Sequence, residues 1–261
     1  MLFFIPLISF CQRRQIDSLT KLLPSLSDSS RIDCLNKLSV EYYINILAET
    51  YINVQTDTAN LFASQAYRET KLLHYDKGIA EGLQNLGEIA RDRGDLVTAE
   101  NYFRRSIPLF EKTHDLEKYS WANITLGWVT YLQCRFEEAK LAFERARPFY
   151  FSVDNKGKQA MYFRMISYTY TARGYNEVAF ENMIEALRIT AKSSDVRSVV
   201  STPQNMAALY KAAGENETAL AYYRIAATNA KAVNQPVRYF HLMGDMSVVL
   251  KKYDSAIYYY Q

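Results

Sequence analysis

Six alanines set the frame of this chain. Ala59, Ala99, Ala139, Ala179 and Ala219 are spaced by 40 residues, and Ala256 follows after 37. Four residues on from them lie Ala63, Phe103, Phe143, Met183, Tyr223 and Tyr260, and seven on from the first five lie Ala66, Ser106, Ala146, Ala186 and Ala226. Thirteen before the alanines lie Ile46, Leu86, Leu126, Ile166, Met206 and Met243, followed directly by Leu47, Gly87, Gly127, Ser167, Ala207 and Gly244. Four columns in register over six copies mark a repeat array, whose units bury their apolar faces only by stacking on one another.

With the alanine column numbered 20 within each unit, positions 7, 8 and 11 share one face of a first helix, and 20, 24 and 27 share one face of a second. Small residues at 8 and 20 let two helix backbones approach closely, and a large residue at 24 fills the space beside them. The turns between them read Arg93-Gly94-Asp95, Cys134-Arg135, Arg173-Gly174 and Ala213-Gly214-Glu215, with glycine as the left-handed cap that ends a helix. Only 9 Gly and 6 Pro occur in 261 residues, too few for a hairpin-rich β-fold. An apolar content of 49% excludes disorder.

These residues resemble the tetratricopeptide repeat family. The second unit carries Leu83, Leu86, Gly87, Ala90, Ala99, Phe103 and Ser106 at the family's positions. The fourth carries Phe163, Ile166, Ser167, Tyr170, Ala179, Met183 and Ala186, and the fifth Met206, Ala207, Tyr210, Ala219, Tyr223 and Ala226. The resemblance implies an all-α fold, a right-handed superhelical solenoid of antiparallel helix pairs. Units of 40 residues exceed the family's usual 34, so the second helices are expected to be long, near 96–113, 136–152 and 176–192, and the family's proline at position 32 is missing. The array is expected over 31–261, in units near 31–76, 80–116, 120–156, 160–196, 200–236 and 237–261. Leu35, Leu38 and Tyr42 read as a first helix displaced by about two turns, so that helix is expected to be long, near 31–53. Asp57-Thr58 is expected to cap the helix that carries Ala59. Residues 12–30 form a lead segment, with a short helix from Ile16 to Leu23 stopped at Pro24. The last unit stops inside its second helix, with Tyr258-Tyr259-Tyr260 where a polar capping helix belongs. That ending reads as the front part of a longer protein.

Residues 1–11 are almost wholly apolar before Gln12-Arg13-Arg14. They are too short to span a bilayer as a helix. They fit a secretory apolar segment with Ser9 and Cys11 before a cut at Gln12, although no Lys or Arg precedes them. A buried N-terminal strand or helix turn is the alternative, and a lipoprotein with Cys11 acylated is a third. With 31 Lys plus Arg against 28 acids the net charge is +3; no basic run suggests nucleic acid or a polybasic membrane patch. Any membrane attachment would come through a downstream helix. Cys11, Cys34 and Cys134 form no C-x-x-C, so neither a zinc site nor a redox pair is legible.

No catalytic motif, phosphate loop or dinucleotide glycine run is present, and no cofactor or metal is expected. His74 and His114 fall in one column with Asp154, Ser194 and Asn234, a polar turn between units where any soluble side chain would serve. His241 has only Asp245 at a possible ligand spacing. Binding is the better prospect. The resemblance implies a concave groove lined by first-helix positions 2, 5, 9 and 12. In the third unit these are Trp121, Ile124, Trp128 and Tyr131, in the fourth Met161, Arg164, Tyr168 and Thr171, and in the fifth Ser201, Gln204, Ala208 and Lys211. The second unit offers Glu81, Gln84, Glu88 and Arg91 there. The candidate groove residues are therefore Trp121, Ile124, Trp128, Tyr131, Arg164, Tyr168 and Gln204, and the partner class is a protein or an extended peptide. Asn123 and Thr130 are poor core residues, which would hand Trp128 a packing role instead. Of the Lys and Asn set that grips acidic chaperone tails in the family, only Asn85 and Asn205 match, and Glu81 and Glu88 would repel a carboxylate. Export, repeats and the cut-off end together resemble the exported sensor region of a bacterial signalling protein. A freestanding periplasmic adaptor and a cytosolic peptide-responsive regulator are the competing readings.

Overall fold

The computed structural model describes residues 5–46 and 52–260. Among them are thirteen α-helices: α1 (Ile5–Leu22), α2 (Asp28–Ile46), α3 (Ile52–Leu73), α4 (Asp76–Asp92), α5 (Leu96–Lys112), α6 (Leu116–Leu132), α7 (Phe136–Ser152), α8 (Lys156–Ala172), α9 (Asn176–Thr190), α10 (Val196–Ala212), α11 (Asn216–Ala232), α12 (Pro236–Val249) and α13 (Tyr253–Tyr260). A 3-10 turn at Leu23–Ser25 follows α1. The chain divides between Arg135 and Phe136 into two compact units. In the first, α2 pairs with α3 and α4 with α5; in the second, α8 pairs with α9, α10 with α11 and α12 with α13.

The repeated columns are the core. The six alanines at position 20 are buried, as are Ala63, Phe103, Phe143, Met183 and Tyr223 four residues later. Close approach at position 8 is direct: a methyl group placed on Gly87 would lie 2.6 Å from the Phe103 ring, and one on Gly244 would overlap the ring of Tyr260. Where serine replaces glycine it reaches across the same gap, and Ser167 Oγ donates to the Ala179 carbonyl at 2.8 Å.

The junctions are short because each residue does two jobs. Gly94 has φ +81°, its N–H bonds the Arg91 carbonyl at 2.9 Å, and the Asp95 N–H reaches back to Ala90 at 2.9 Å. This Schellman closure leads straight into the next helix, because the Asp95 carboxylate accepts from the Thr98 N–H as its N-cap. Three of the five residues of the histidine column sit in the same kind of turn: His74, His114 and Asn234 have φ between 50° and 56°, which favours residues that tolerate left-handed backbone, whereas Asp154 and Ser194 are not left-handed.

The first pair shows the displacement of about two turns expected from Leu35, Leu38 and Tyr42, and departs from expectation in its cap and its helix bounds. Ser39 Oγ donates to the Ala59 carbonyl at 2.9 Å, the bond that Ser167 makes to Ala179, so Leu38 and Ser39 take positions 7 and 8, two turns before Ile46 and Leu47, and the hairpin is eight residues longer. Asp57 and Thr58 lie inside α3 and do not cap it; Asp57 instead forms an ion pair with Arg93. The expected 31–53 helix runs Asp28–Ile46, and residues 47–51 lie outside the described residues. The lead helix begins at Ile5 instead of Ile16, because the apolar stretch continues it without a break. Residues 1–4 and the side chains up to Gln12 lie outside the described residues, so of segment 1–11 only helical backbone from Ile5 is seen, and no strand. The second helices end at Lys112, Ser152 and Thr190. No helix among the described residues is long and apolar enough to cross a membrane.

Three helices carry a proline in the interior, Pro108 in α5, Pro148 in α7 and Pro203 in α10. Pro203 lies within α10 and has no N–H to give the Val199 carbonyl. Asn229 of α11 supplies the missing donor, with its Nδ2 2.7 Å from that oxygen.

Candidate functional site

In the first compact unit the candidate stripe runs along α6. Trp121 is 41% exposed and Ile124 is buried at 4%, while Trp128 and Tyr131 are half-buried. The Trp128 and Tyr131 rings stack at 5.3 Å and 12°, as their i, i+3 spacing allows. Asn123 and Thr130 are fully buried: Thr130 Oγ1 donates to the Leu126 carbonyl at 3.0 Å, and Asn123 Nδ2 donates to the Tyr119 carbonyl at 2.9 Å. Each polar group is satisfied on its own helix, except Asn123 Oδ1.

Trp121 is tied to the second unit's groove positions on α4. Its Nε1 donates to Glu88 Oε1 at 3.0 Å, and Gln84 Nε2 donates to the same oxygen at 2.8 Å. Arg91 Nη1 lies 2.7 Å from Glu88 Oε2. Arg91 also donates to the Tyr43 hydroxyl at 3.0 Å, and that hydroxyl donates to Asp92 at 2.5 Å. Burial pushes the Glu88 carboxyl above the ordinary carboxylate range, against the pull of Arg91, Gln84 and Trp121. Glu81 pairs with Lys118 of α6. Both acids expected to repel a carboxylate are therefore matched by cations. Asn85 donates to the Asn36 carbonyl at 3.3 Å, so it is committed to the fold.

The second compact unit presents the other candidate residues on two first helices, Arg164 and Tyr168 on α8 and Gln204 on α10. Arg164 is 7% exposed and lies against α10, where its Nη1 donates to Thr202 Oγ1 at 3.1 Å and Ser198 Oγ at 3.4 Å. Arg238 of α12 joins them, with its Nη2 3.5 Å from Gln204 Oε1. Burial lowers the pKa of both guanidiniums. Sequence reasoning missed Arg238 although the Met243–Ala256 register places it at position 2 of its unit. Ser198 had no such signal, since it precedes the first groove position of α10.

Asp245, four residues after His241, accepts the Tyr260 hydroxyl at 2.7 Å. Of the free cysteines, Cys34 is buried and Cys134 exposed.

Comparison with known proteins agrees with this architecture. Residues 78–150 match the tetratricopeptide repeat family model. No curated protein sequence matches the chain. Among solved structures, the apo form of RapI is 16% identical, with a TM-score of 0.67 over 92% of this chain and 86% of that one. Aspartyl phosphate phosphatase F from Bacillus subtilis is 15% identical, with a TM-score of 0.68 over 96% of this chain and 67% of that one. A Rap protein complexed with Competence and Sporulation Factor is 13% identical, with a TM-score of 0.61 over 97% and 75%. At these identities the likeness is one of fold.

Proposed function

Because this chain is built of tetratricopeptide repeats, we propose that it is a non-catalytic scaffold whose first helices bind an extended peptide or protein segment. The observation that carries this reading is the α6 stripe. Trp121, Trp128 and Tyr131 keep partly open aromatic faces beside a polar ridge in which Glu88 is fixed by three donors. Rigid aromatic area next to placed polar groups suits a segment that gives both apolar side chains and backbone hydrogen bonds. Display of a short-peptide library against the whole chain tests it. The expected result is a consensus whose synthetic peptide changes the tryptophan fluorescence; failure of any sequence to enrich contradicts the reading.

The cellular setting we propose is the exported sensor region of a longer bacterial signalling protein, supported by the apolar segment 1–11 ahead of Arg13-Arg14. A cytosolic peptide-responsive regulator is the second reading, favoured by the fold shared with a Rap protein in complex with Competence and Sporulation Factor. N-terminal sequencing of the cellular protein separates them: a start at Gln12 supports export, and an intact Met1 overturns it.

A further inference from the structure

The last interval of the alanine column is 37 residues where the others are 40, and the structure locates the missing three. The first helices α4, α6, α8 and α10 each run 17 residues, whereas α12 runs 14. Because α12 starts 40 residues after α10, the shortening falls at its C-terminal end and removes nearly one turn. In α10 that turn carries Tyr210, whose ring fills the junction with the helices on either side. It lies 4.9 Å from the Phe180 ring of α9 and stacks on Tyr222 of α11 at 5.5 Å and 11°. One unit earlier Tyr170 takes the same place, with the Lys140 ammonium 5.5 Å from its ring centroid. Forty residues on from Phe180 and Tyr210 stand Leu220 and Leu250, so the junction of α11, α12 and α13 lacks both rings. A cavity of about 440 Å³ opens there, walled by Leu220, Met243, Met246, Leu250 and Tyr259, the last at the place of Tyr222. Met246 is only half-buried, where its counterpart Met206 on α10 is fully buried.

We propose that this cavity is a binding site for a free planar aromatic molecule, neutral or anionic, which takes the place that Tyr210 holds one unit earlier. The preceding junction shows the arrangement: a ring held among three helices and faced by a second ring. The volume falls within the roughly 300–1,000 Å³ of small-molecule sites, and an apolar space left by a missing ring accepts an aromatic ligand. The thioethers of Met243 and Met246 adapt to the shape of a ring and favour contact with its edge. Charge sets the remaining preference. Arg224 and Lys252 also line the cavity, and none of its lining residues is acidic, so a cationic ring is disfavoured. In the preceding junction the counterpart of Arg224 is Ile184. Every residue of the site belongs to the second compact unit, so the inference goes beyond the peptide-binding reading and does not depend on the α6 stripe.

The test follows the methionine methyl groups of the full chain by NMR, with naphthol as the probe and decahydronaphthol as its saturated counterpart. Naphthol is expected to move the Met243 and Met246 methyl signals upfield and saturably through its ring current. Decahydronaphthol is expected to bind about tenfold more weakly. Leu220→Phe and Leu250→Tyr each restore one ring of the preceding junction. Both are expected to weaken naphthol binding by about tenfold or more without lowering the Tm, because the added ring fills space that is already open. Equal affinity for the two probes, shifts confined to other methionines, or undiminished binding in both filled variants overturns the proposal. The two-probe comparison on the wild type decides the matter even where a filled variant does not fold. Two further probes fix the ligand class. Naphthylmethylammonium is expected to bind more weakly than naphthol, and tighter binding overturns the assigned charge preference. A Gly-Gly-Trp-Gly-Gly peptide is expected to leave both methyl signals in place; binding as tight as that of naphthol would make the cavity a slot for a partner's side chain and overturn the free-molecule site.

Discussion

Glu88 shows how one buried residue links the fold to the proposed surface. Its carboxylate joins α4 to α6 through Trp121, yet burial raises its pKa. For an acid with a raised folded pKa, the native state holds its proton more tightly than the unfolded chain. Stability is therefore lost as pH climbs from the ordinary Glu value of about 4.3 through the raised native one. The slope from this group is at most about 1.4 kcal/mol per pH unit. Glu88→Gln keeps an acceptor for Trp121 and should flatten that slope in denaturant unfolding measured across pH; a slope unchanged by the substitution would assign it elsewhere. Cys134 offers a second test at this scale. It has φ +62° where three equivalent turns carry glycine with φ between 81° and 82°. A side chain in the left-handed region costs about 1 kcal/mol, so Cys134→Gly should stabilise the chain by about that much in the same assay. No gain, or a loss, would mean that the cysteine side chain offsets its backbone cost.

At the scale of helices, α10 and α11 are coupled by a repair. Pro203 leaves the Val199 carbonyl without its helical donor, and Asn229 supplies one from the neighbouring helix. Asn229→Ala should cost about 1 kcal/mol or somewhat more, the price of a partly buried acceptor left unpaired. In a Pro203→Ala background that cost should shrink, because the helix then satisfies Val199 itself. A double-mutant cycle in urea measures this coupling, and additive effects would show that the bond contributes nothing through Pro203. Helix pairing from the second unit onward was legible because each junction is short and the small-residue column meets its partner directly, as Gly87 meets Phe103. The first pair was less legible because eight extra residues separate Ser39 from Ala59, which moves the contact off the 40-residue period while leaving its chemistry unchanged.

Across the whole molecule, the repeat architecture could be read from four columns, whereas the site could be read only in outline. Groove positions picked out Trp121, Trp128, Arg164 and Gln204 as candidates, but not the partners that set their chemistry. Tyr43 comes from the irregular first pair, and Ser198 lies outside the groove register. Charge balance was also hidden: Glu81 and Glu88 look repulsive along the chain and are neutralised by Lys118 and Arg91 in space. The central claim is that the α6 aromatic stripe binds a peptide. Its most direct test is titration of a library-selected peptide into wild type and Trp128→Ala, with Tm recorded for both. The account predicts affinity weaker by about tenfold with a Tm lowered by only a few degrees. Unchanged affinity, or loss of cooperative unfolding, would place the Trp128 ring in the core and contradict it.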